Sequence, residues 1–319
     1  MKKRYLIAGA YGLAGVALAA KLISRPRDVE WAEHSAKLHH ADCSRFVEMD
    51  GVRVHYQEAG DSDAPPILLI HGFCASTFVW GDVLLPIARM GYRVVAPDLI
   101  GFGFSGKPRR GEYTIDSQAR MIVRLMDELQ IDRAALIGSS YGGAVAAIVA
   151  LDFPERVRRL VLVDPVSNDD VKNRRLLRLA ASPLMGDLIS PLIIDSRRLM
   201  KWRMGKVYAD NNAHLFDAAR MAAHHLPLRS ANTQRAVLTT LRRWNAGRIE
   251  REAHRITQPT LLIWGEDDRD IPLRHGERLH ALMPNSRLVV FRACGHLPQE
   301  ERPDEFAGLV AGFCKSGDG

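Results

Sequence analysis

The stretch Ala134-Ala135-Leu136-Ile137-Gly138-Ser139-Ser140-Tyr141-Gly142-Gly143 decides the reading of this chain. Four apolar residues make a short buried strand, glycine and serine make a sharp turn, and the apolar run that follows continues as a helix to Asp152, stopped by Pro154. The pattern is G-x-S-x-G between a strand and a helix. Such a turn holds its middle serine in a strained backbone conformation with the hydroxyl presented outward. Ser140 is therefore the candidate nucleophile, and Ser139 is the variable residue before it. A glycine-rich turn with incidental serines would look the same in isolation, so the rest of the chain has to supply the partners.

On both sides of this stretch, apolar strands alternate with helices. Phe46 to Met49 and Arg53 to Glu58, split by Asp50-Gly51, read as a hairpin. Further strands are expected at Pro66 to Ile70, Tyr92 to Leu99, Arg133 to Ile137, Arg159 to Val163, Thr260 to Trp264 and Arg287 to Phe291. Helices are expected through Trp80, Leu84, Leu85 and Ile87, and over Thr114 to Leu129, where Ile115, Ala119, Ile122, Leu125, Met126 and Leu129 share one face. Strands with helical crossovers predict an α/β fold: a mostly parallel eight-stranded sheet covered by helices on both faces, opened by two antiparallel strands. Residues 167–256 break the rhythm. They hold no convincing strand, carry helical spacing at Leu176, Leu177, Leu179 and Ala180 and again at Phe216, Ala219 and Ala223, and are punctuated by Pro183, Pro191 and Pro227. The expected organisation is an α/β core over 31–166 and 257–319, with a helical cap at 167–256 inserted between two late strands.

A serine hydroxyl is a poor nucleophile at neutral pH and needs a base oriented by a carboxylate. For G-x-S-x-G enzymes the order along the chain is Ser, acid, His. Among the 12 histidines, His296 stands after the last strand in the right order. Trp264-Gly265-Glu266-Asp267-Asp268-Arg269-Asp270 supplies the acid after the preceding strand; Asp268 is the candidate, and Asp164, one strand earlier, is the reserve. The pairs His224-His225 and His34/His39 lack a metal-binding pattern and read as surface or packing residues, so no metal and no cofactor is expected. A literal G-x-G-x-x-G at Gly101, Gly103 and Gly106 is followed by Lys107-Pro108, which cannot open a helix, and so gives no dinucleotide site.

At these residues the chain resembles the serine-nucleophile branch of the α/β-hydrolase fold family, over roughly Phe46 to Phe313. The resemblance also takes in His71-Gly72-Phe73, Asp98-Leu99-Ile100-Gly101-Phe102-Gly103-Phe104-Ser105 and Gly295-His296-Leu297-Pro298-Gln299-Glu300. It implies an oxyanion hole formed by the backbone N–H groups of Phe73 and Tyr141, and a cap that shapes the acyl pocket. A serine rather than an aspartate at the elbow argues against dehalogenase and epoxide-hydrolase chemistry. What remains is acyl transfer to water, from a small-molecule acyl ester first, with carbon-carbon hydrolysis of vinylogous diketones or a non-catalytic binding role as alternatives. The finer resemblance is to membrane-associated bacterial lipases and esterases and to anchored monoacylglycerol lipases.

The 319 residues are 47% hydrophobic and 25% charged, an ordinary globular composition. Four scattered cysteines suggest free thiols rather than a disulfide scaffold. The net charge of +7 is uneven: residues 167–256 hold 17 Lys and Arg against 8 Asp and Glu, and the first thirty residues hold 6 against 2. No aromatics interleave the basic pairs, so no nucleic-acid partner is expected, and a membrane surface is the favoured partner for this charge. Lys2, Lys3 and Arg4 precede a charge-free run of 16 residues, Tyr5 to Ala20. Extended past a snorkelling Lys21 it reaches about 19 residues against a hydrocarbon core of about 30 Å. The expectation is a membrane-associated protein with a single N-terminal anchor in residues 1–30, or an exported one whose segment is cleaved.

Overall fold

Eight strands form one sheet in the order β1-β2-β4-β3-β5-β6-β7-β8. They are β1 (Ser44–Met49), β2 (Val52–Ala59), β3 (Pro66–Ile70), β4 (Arg93–Pro97), β5 (Ala134–Ser139), β6 (Val157–Val163), β7 (Thr260–Gly265) and β8 (Ser286–Phe291). In this computed structural model residues 29–35, 39–170 and 196–315 are described, together with Gly15, Ala181, Ser182 and Gly186. Asp50 and Gly51 both have positive φ, 52° and 72°, the backbone a two-residue hairpin needs. β2 runs antiparallel to β1 and to β4, and every other pairing is parallel. Of the two opening strands, then, only β2 is reversed.

Side chains alternate across the central strands and divide the core in two. Leu68, Ile70, Leu136, Leu160 and Leu162 face one layer, with Ile122 and Met126 of α2 (Ile115–Glu128) and Val145 of α3 (Tyr141–Asp152). Ile67, Leu69, Ala135, Ile137, Val161 and Val163 face the other, with Val83, Leu84 and Ile87 of α1 (Gly81–Arg89) and Phe306 and Val310 of α10 (Pro303–Lys315). Each fully buried Leu, Ile or Val stabilises the fold by about 1.5–3 kcal/mol. A strand covered on both faces therefore reads as the continuous apolar run seen at β5. α2 begins at a capping box: Thr114 Oγ1 accepts from Ser117 N–H at 3.1 Å, and Ser117 Oγ accepts from Thr114 N–H at 2.9 Å.

Between β6 and β7, every element among the described residues is helical: α4 (Arg197–Val207), α5 (Ala218–His225), α6 (Ala231–Arg242), α7 (Gly247–Glu252) and short 3-10 turns. The helical spacing at Leu176 to Ala180 lies outside the described residues, as do Pro183 and Pro191. α8 (Arg274–Leu282) links β7 to β8, and the short α9 (Pro298–Glu301) precedes α10. All four cysteines are free thiols.

The expected localisation is corrected. No helix among the described residues is long and apolar enough to cross a membrane. Of residues 1–30, offered as the anchor segment, only Gly15, Val29 and Glu30 are among the described residues. Its charge-free run of 16 residues is also shorter than the roughly 20 that a spanning helix needs. The membrane-associated or exported reading, and the transmembrane helix with it, is withdrawn.

Candidate active site

β5 ends at Ser139 and α3 starts at Tyr141, which leaves Ser140 alone in the turn with φ 55° and ψ −116°. A non-glycine residue there is strained, and the surrounding backbone enforces it. Ser140 N–H donates to Val163 O at 2.8 Å, while its carbonyl accepts from the N–H groups of Gly143 (3.0 Å) and Val166 (3.1 Å). A Cβ on Gly138 would stand 2.3 Å from Gly142 O, and one on Gly142 would stand 2.1 Å from Ile70 O. No side chain fits at either position. A serine that starts a helix ordinarily spends its hydroxyl on capping. Ser140 makes no such cap bond, so Oγ is left for other work.

The loop after β3 comes over this hydroxyl. A Cβ on Gly72 would lie 3.2 Å from Ser140 Cβ and 3.8 Å from Oγ. Tyr141, first in its helix, has an N–H with no i−4 partner, and the positive end of the α3 dipole points the same way. Phe73, next after Gly72, and Tyr141, next after Ser140, are the expected oxyanion donors, and their rings lie 6.1 Å apart. Their side chains build a wall with the cap: the Phe73 ring meets Trp244 edge-on at 5.5 Å, and Tyr141 lies 5.2 Å from Trp244.

The loop is held from beneath by a cluster to which the sequence reading gave no role. Asp98, at the end of β4, is fully buried. Its Oδ2 accepts from Phe104 N–H (2.8 Å) and faces His55 Nδ1 (2.7 Å), and its Oδ1 accepts from Thr77 N–H (2.7 Å). Burial alone would raise this carboxyl, but His55 and the Phe104 N–H hold it below the usual carboxylate range. Gly103 wraps so tightly that a Cβ there would stand 2.0 Å from the carboxylate. The glycine-rich loop 101–106 is a cradle for Asp98. His71 Nε2 accepts from Leu99 N–H (3.0 Å) and Nδ1 faces Gly72 O (2.8 Å), which fixes the neutral Nδ1–H tautomer; burial likewise lowers the imidazole.

His296 and Asp268, the candidate base and acid, meet at 2.6 Å, from Nδ1 to Oδ2, and both are buried. Asp268 Oδ1 accepts from the N–H groups of Asp270 (2.7 Å) and Ile271 (2.9 Å). Burial alone would lower the imidazole, but the Asp268 carboxylate outweighs it and raises His296 above its ordinary value. Asp164, the reserve acid, is brought to the same place: one ligating atom from each of Asp164, Asp268 and His296 lies within 4.8 Å of the others. No other group of three such side chains exists among the described residues. Both Asp268 oxygens are already engaged by the imidazole and two N–H groups, an arrangement suited to a relay rather than to a metal cage.

The cap reaches this site through carboxylates just past His296. His296 N–H donates to Val207 O at 2.7 Å. Glu301 accepts from Ala209 N–H (3.1 Å), Asn212 Nδ2 (2.9 Å) and Gly295 N–H (2.9 Å). Glu300 accepts from Tyr208 Oη (2.5 Å) and Arg220 (2.8 Å), with His224 Nε2 at 3.3 Å. His224 and His225, expected at the surface or in packing, are buried.

Known proteins agree with this architecture. A 2-hydroxy-6-oxo-6-phenylhexa-2,4-dienoate hydrolase of Burkholderia cepacia is 30% identical over 309 residues, covering 88% of this chain and 99% of the relative. The structure is similar to a meta-cleavage product hydrolase, CumD, of Pseudomonas fluorescens IP01 (TM-score 0.72, 26% identity, 84% of this chain and 96% of that one). It is also similar to a membrane phospholipase A described as a bacterial virulence factor (TM-score 0.71, 27% identity, 98% and 97%). The alpha/beta hydrolase fold profile matches residues 65–303, and the chain belongs to that family.

Proposed function

We propose that this hydrolase cleaves small-molecule carboxylic esters through an acyl-enzyme on Ser140. The observation that carries the reading is Ser140 itself, held at φ 55° with an uncommitted hydroxyl beneath the Gly72 loop. In the proposed reaction His296 takes the Oγ proton as Oγ attacks the ester carbonyl. The Phe73 and Tyr141 N–H groups receive the developing oxyanion, each worth about 3 kcal/mol of barrier. Asp268 keeps the His296 tautomer and stabilises the imidazolium. The imidazolium returns the proton to the departing alcohol, and a water activated by the same histidine then releases the acid. An ester asks for nothing beyond these five groups, because its leaving oxygen needs only that proton. The Phe73–Tyr141–Trp244 wall supports an apolar acyl group.

A second reading, hydrolysis of a carbon-carbon bond in a vinylogous diketone, is favoured by the dienoate-hydrolase relative. It requires a further proton delivered to carbon before the bond can break. A chain-length series of p-nitrophenyl esters assayed beside a 2-hydroxy-6-oxo-dienoate separates the two. Faster turnover of the dienoate than of every ester would replace the first reading with the second, and failure of a fluorophosphonate to label Ser140 would sink both.

A further inference from the structure

The proposed chemistry leaves Asp164 unused. Val163 pairs with Ile263 across β6 and β7, so the next residue, Asp164, emerges beside the loop that carries Asp268. Asp164 is fully buried, and its Oδ1 accepts from Gly265 N–H at 3.0 Å. Its Oδ2 is equally buried and faces no donor. Asp268 offers no hydrogen either, being an acceptor toward Asp270, Ile271 and His296. Two ionised carboxylates packed together in this way would repel, with an oxygen left unsatisfied. A single proton on Asp164 Oδ2 cures both faults, since it removes one charge and turns the orphaned acceptor into a donor.

We propose that Asp164 is kept as the neutral acid and donates a hydrogen bond to Asp268, making it a positioning residue for the Asp268–His296 pair. The groups facing it are Asp268, His296, Glu301 and the Cys294 thiol. Burial first, and then the Asp268 charge, push the Asp164 carboxyl well above the usual carboxylate range. Its φ of 42° is one that Asn tolerates as well as Asp, and that Gly tolerates without any side chain.

The test measures the rate of fluorophosphonate labelling against pH for the full chain, for Asp164→Asn and for Asp164→Gly. The amide of Asp164→Asn keeps the donor, so labelling should stay within about threefold with its midpoint unmoved. Asp164→Gly loses the donor, so the Asp268 carboxylate turns its full charge on His296 and makes it harder to deprotonate; labelling should slow by at least about tenfold, with the midpoint moving to higher pH. A midpoint that moves to lower pH in Asp164→Asn would mean that an ionised Asp164 had been holding His296 up, and would overturn the proposal. Equal behaviour of the Asn and Gly variants would overturn it too, leaving only a backbone role. Infrared difference spectra at neutral pH should show a carboxylic-acid carbonyl band in the parent that Asp164→Asn lacks; identical spectra would refute the neutral acid. The kinetic arms rest on the catalytic assignment proposed above. The infrared band does not, so an unlabelled parent protein would count against that assignment while leaving the proton on Asp164 still tested.

Discussion

The elbow around Ser140 and the latch formed by Glu300 and Glu301, which ties the inserted helices to the core, are built from opposite materials. At the elbow, geometry comes from exclusion: Gly138 and Gly142 face carbonyl oxygens at distances no carbon can occupy, and Ser140 is trapped between main-chain hydrogen bonds. At the latch, geometry comes from charge: Glu300 and Glu301 are buried carboxylates whose oxygens collect Tyr208, Arg220, Ala209, Asn212 and Gly295. A steric frame is indifferent to pH and intolerant of one added carbon. A carboxylate frame tolerates modest changes of volume but fails when its charge is neutralised.

The largest expected effect is at the elbow. Ser140→Ala should cut turnover by about 10⁶-fold and abolish fluorophosphonate labelling with the fold intact by circular dichroism. Ser139→Ala, one residue away, should stay within about threefold, because the turn points only Ser140 outward. Labelling lost in the Ser139 variant and kept in the Ser140 variant would shift the nucleophile by one residue. Next comes Asp268→Asn, which should lower kcat by about 10³- to 10⁴-fold through loss of the His296 tautomer. A near-native Asp268→Asn beside a dead Asp164→Asn would move the acid one strand back.

Stability changes should separate the two materials more gently. Gly142→Ala places a methyl 2.1 Å from Ile70 O and should destabilise the fold by about 3 kcal/mol, by the same amount at pH 5 and pH 8 in urea titrations. Glu300→Gln should cost about 2 kcal/mol at neutral pH. Burial would raise Glu300, but His224, Tyr208 and Arg220 depress it below its ordinary 4.5 in the folded protein. Its stabilising contribution is therefore complete above that ordinary value and is lost as pH falls through the lower folded one. The parent protein should lose stability over that acidic window, and Glu300→Gln should lose less; parallel pH curves would show that the latch does not depend on this charge. The smallest effect is on the rate profile. His296 must be neutral to act as a base, so the acid limb of kcat/KM should have its midpoint above 6.5.

The same contrast governs how much of the fold and of the site is legible in the sequence. Steric frames demand one residue type at one offset, so Gly138, Ser140 and Gly142 are visible as letters, and the strands around them are visible because doubly covered strands are continuously apolar. Asp268 and His296 followed from their order after strands. Asp164 could be named only as a substitute for Asp268, because the two carboxyls meet through the register of β6 against β7, which no local pattern encodes. The Asp98 cradle was hidden in the same way: the 101–106 glycines were visible, but their partner is a carboxylate defined by the path of the loop. Charge frames such as Glu300–Arg220–Asp82 join residues far apart in sequence, and a lone Glu carries no mark of its partner. The anchor misled because a run of 16 apolar and small residues sits just below the length at which hydropathy becomes decisive.

The hydrogen bond from His296 N–H to Val207 O bears on modularity. A cap inserted between two strands looks like a part that could be exchanged or deleted without touching the catalytic base. Here the backbone of the candidate base hangs from the end of a cap helix, and Gly295 beside it packs so closely that a Cβ would stand 2.3 Å from the same Val207 oxygen. On the proposed reading, a foreign helical insertion grafted onto this core would have to reproduce that carbonyl as well as the shape of the pocket, which would couple substrate range to the alignment of His296.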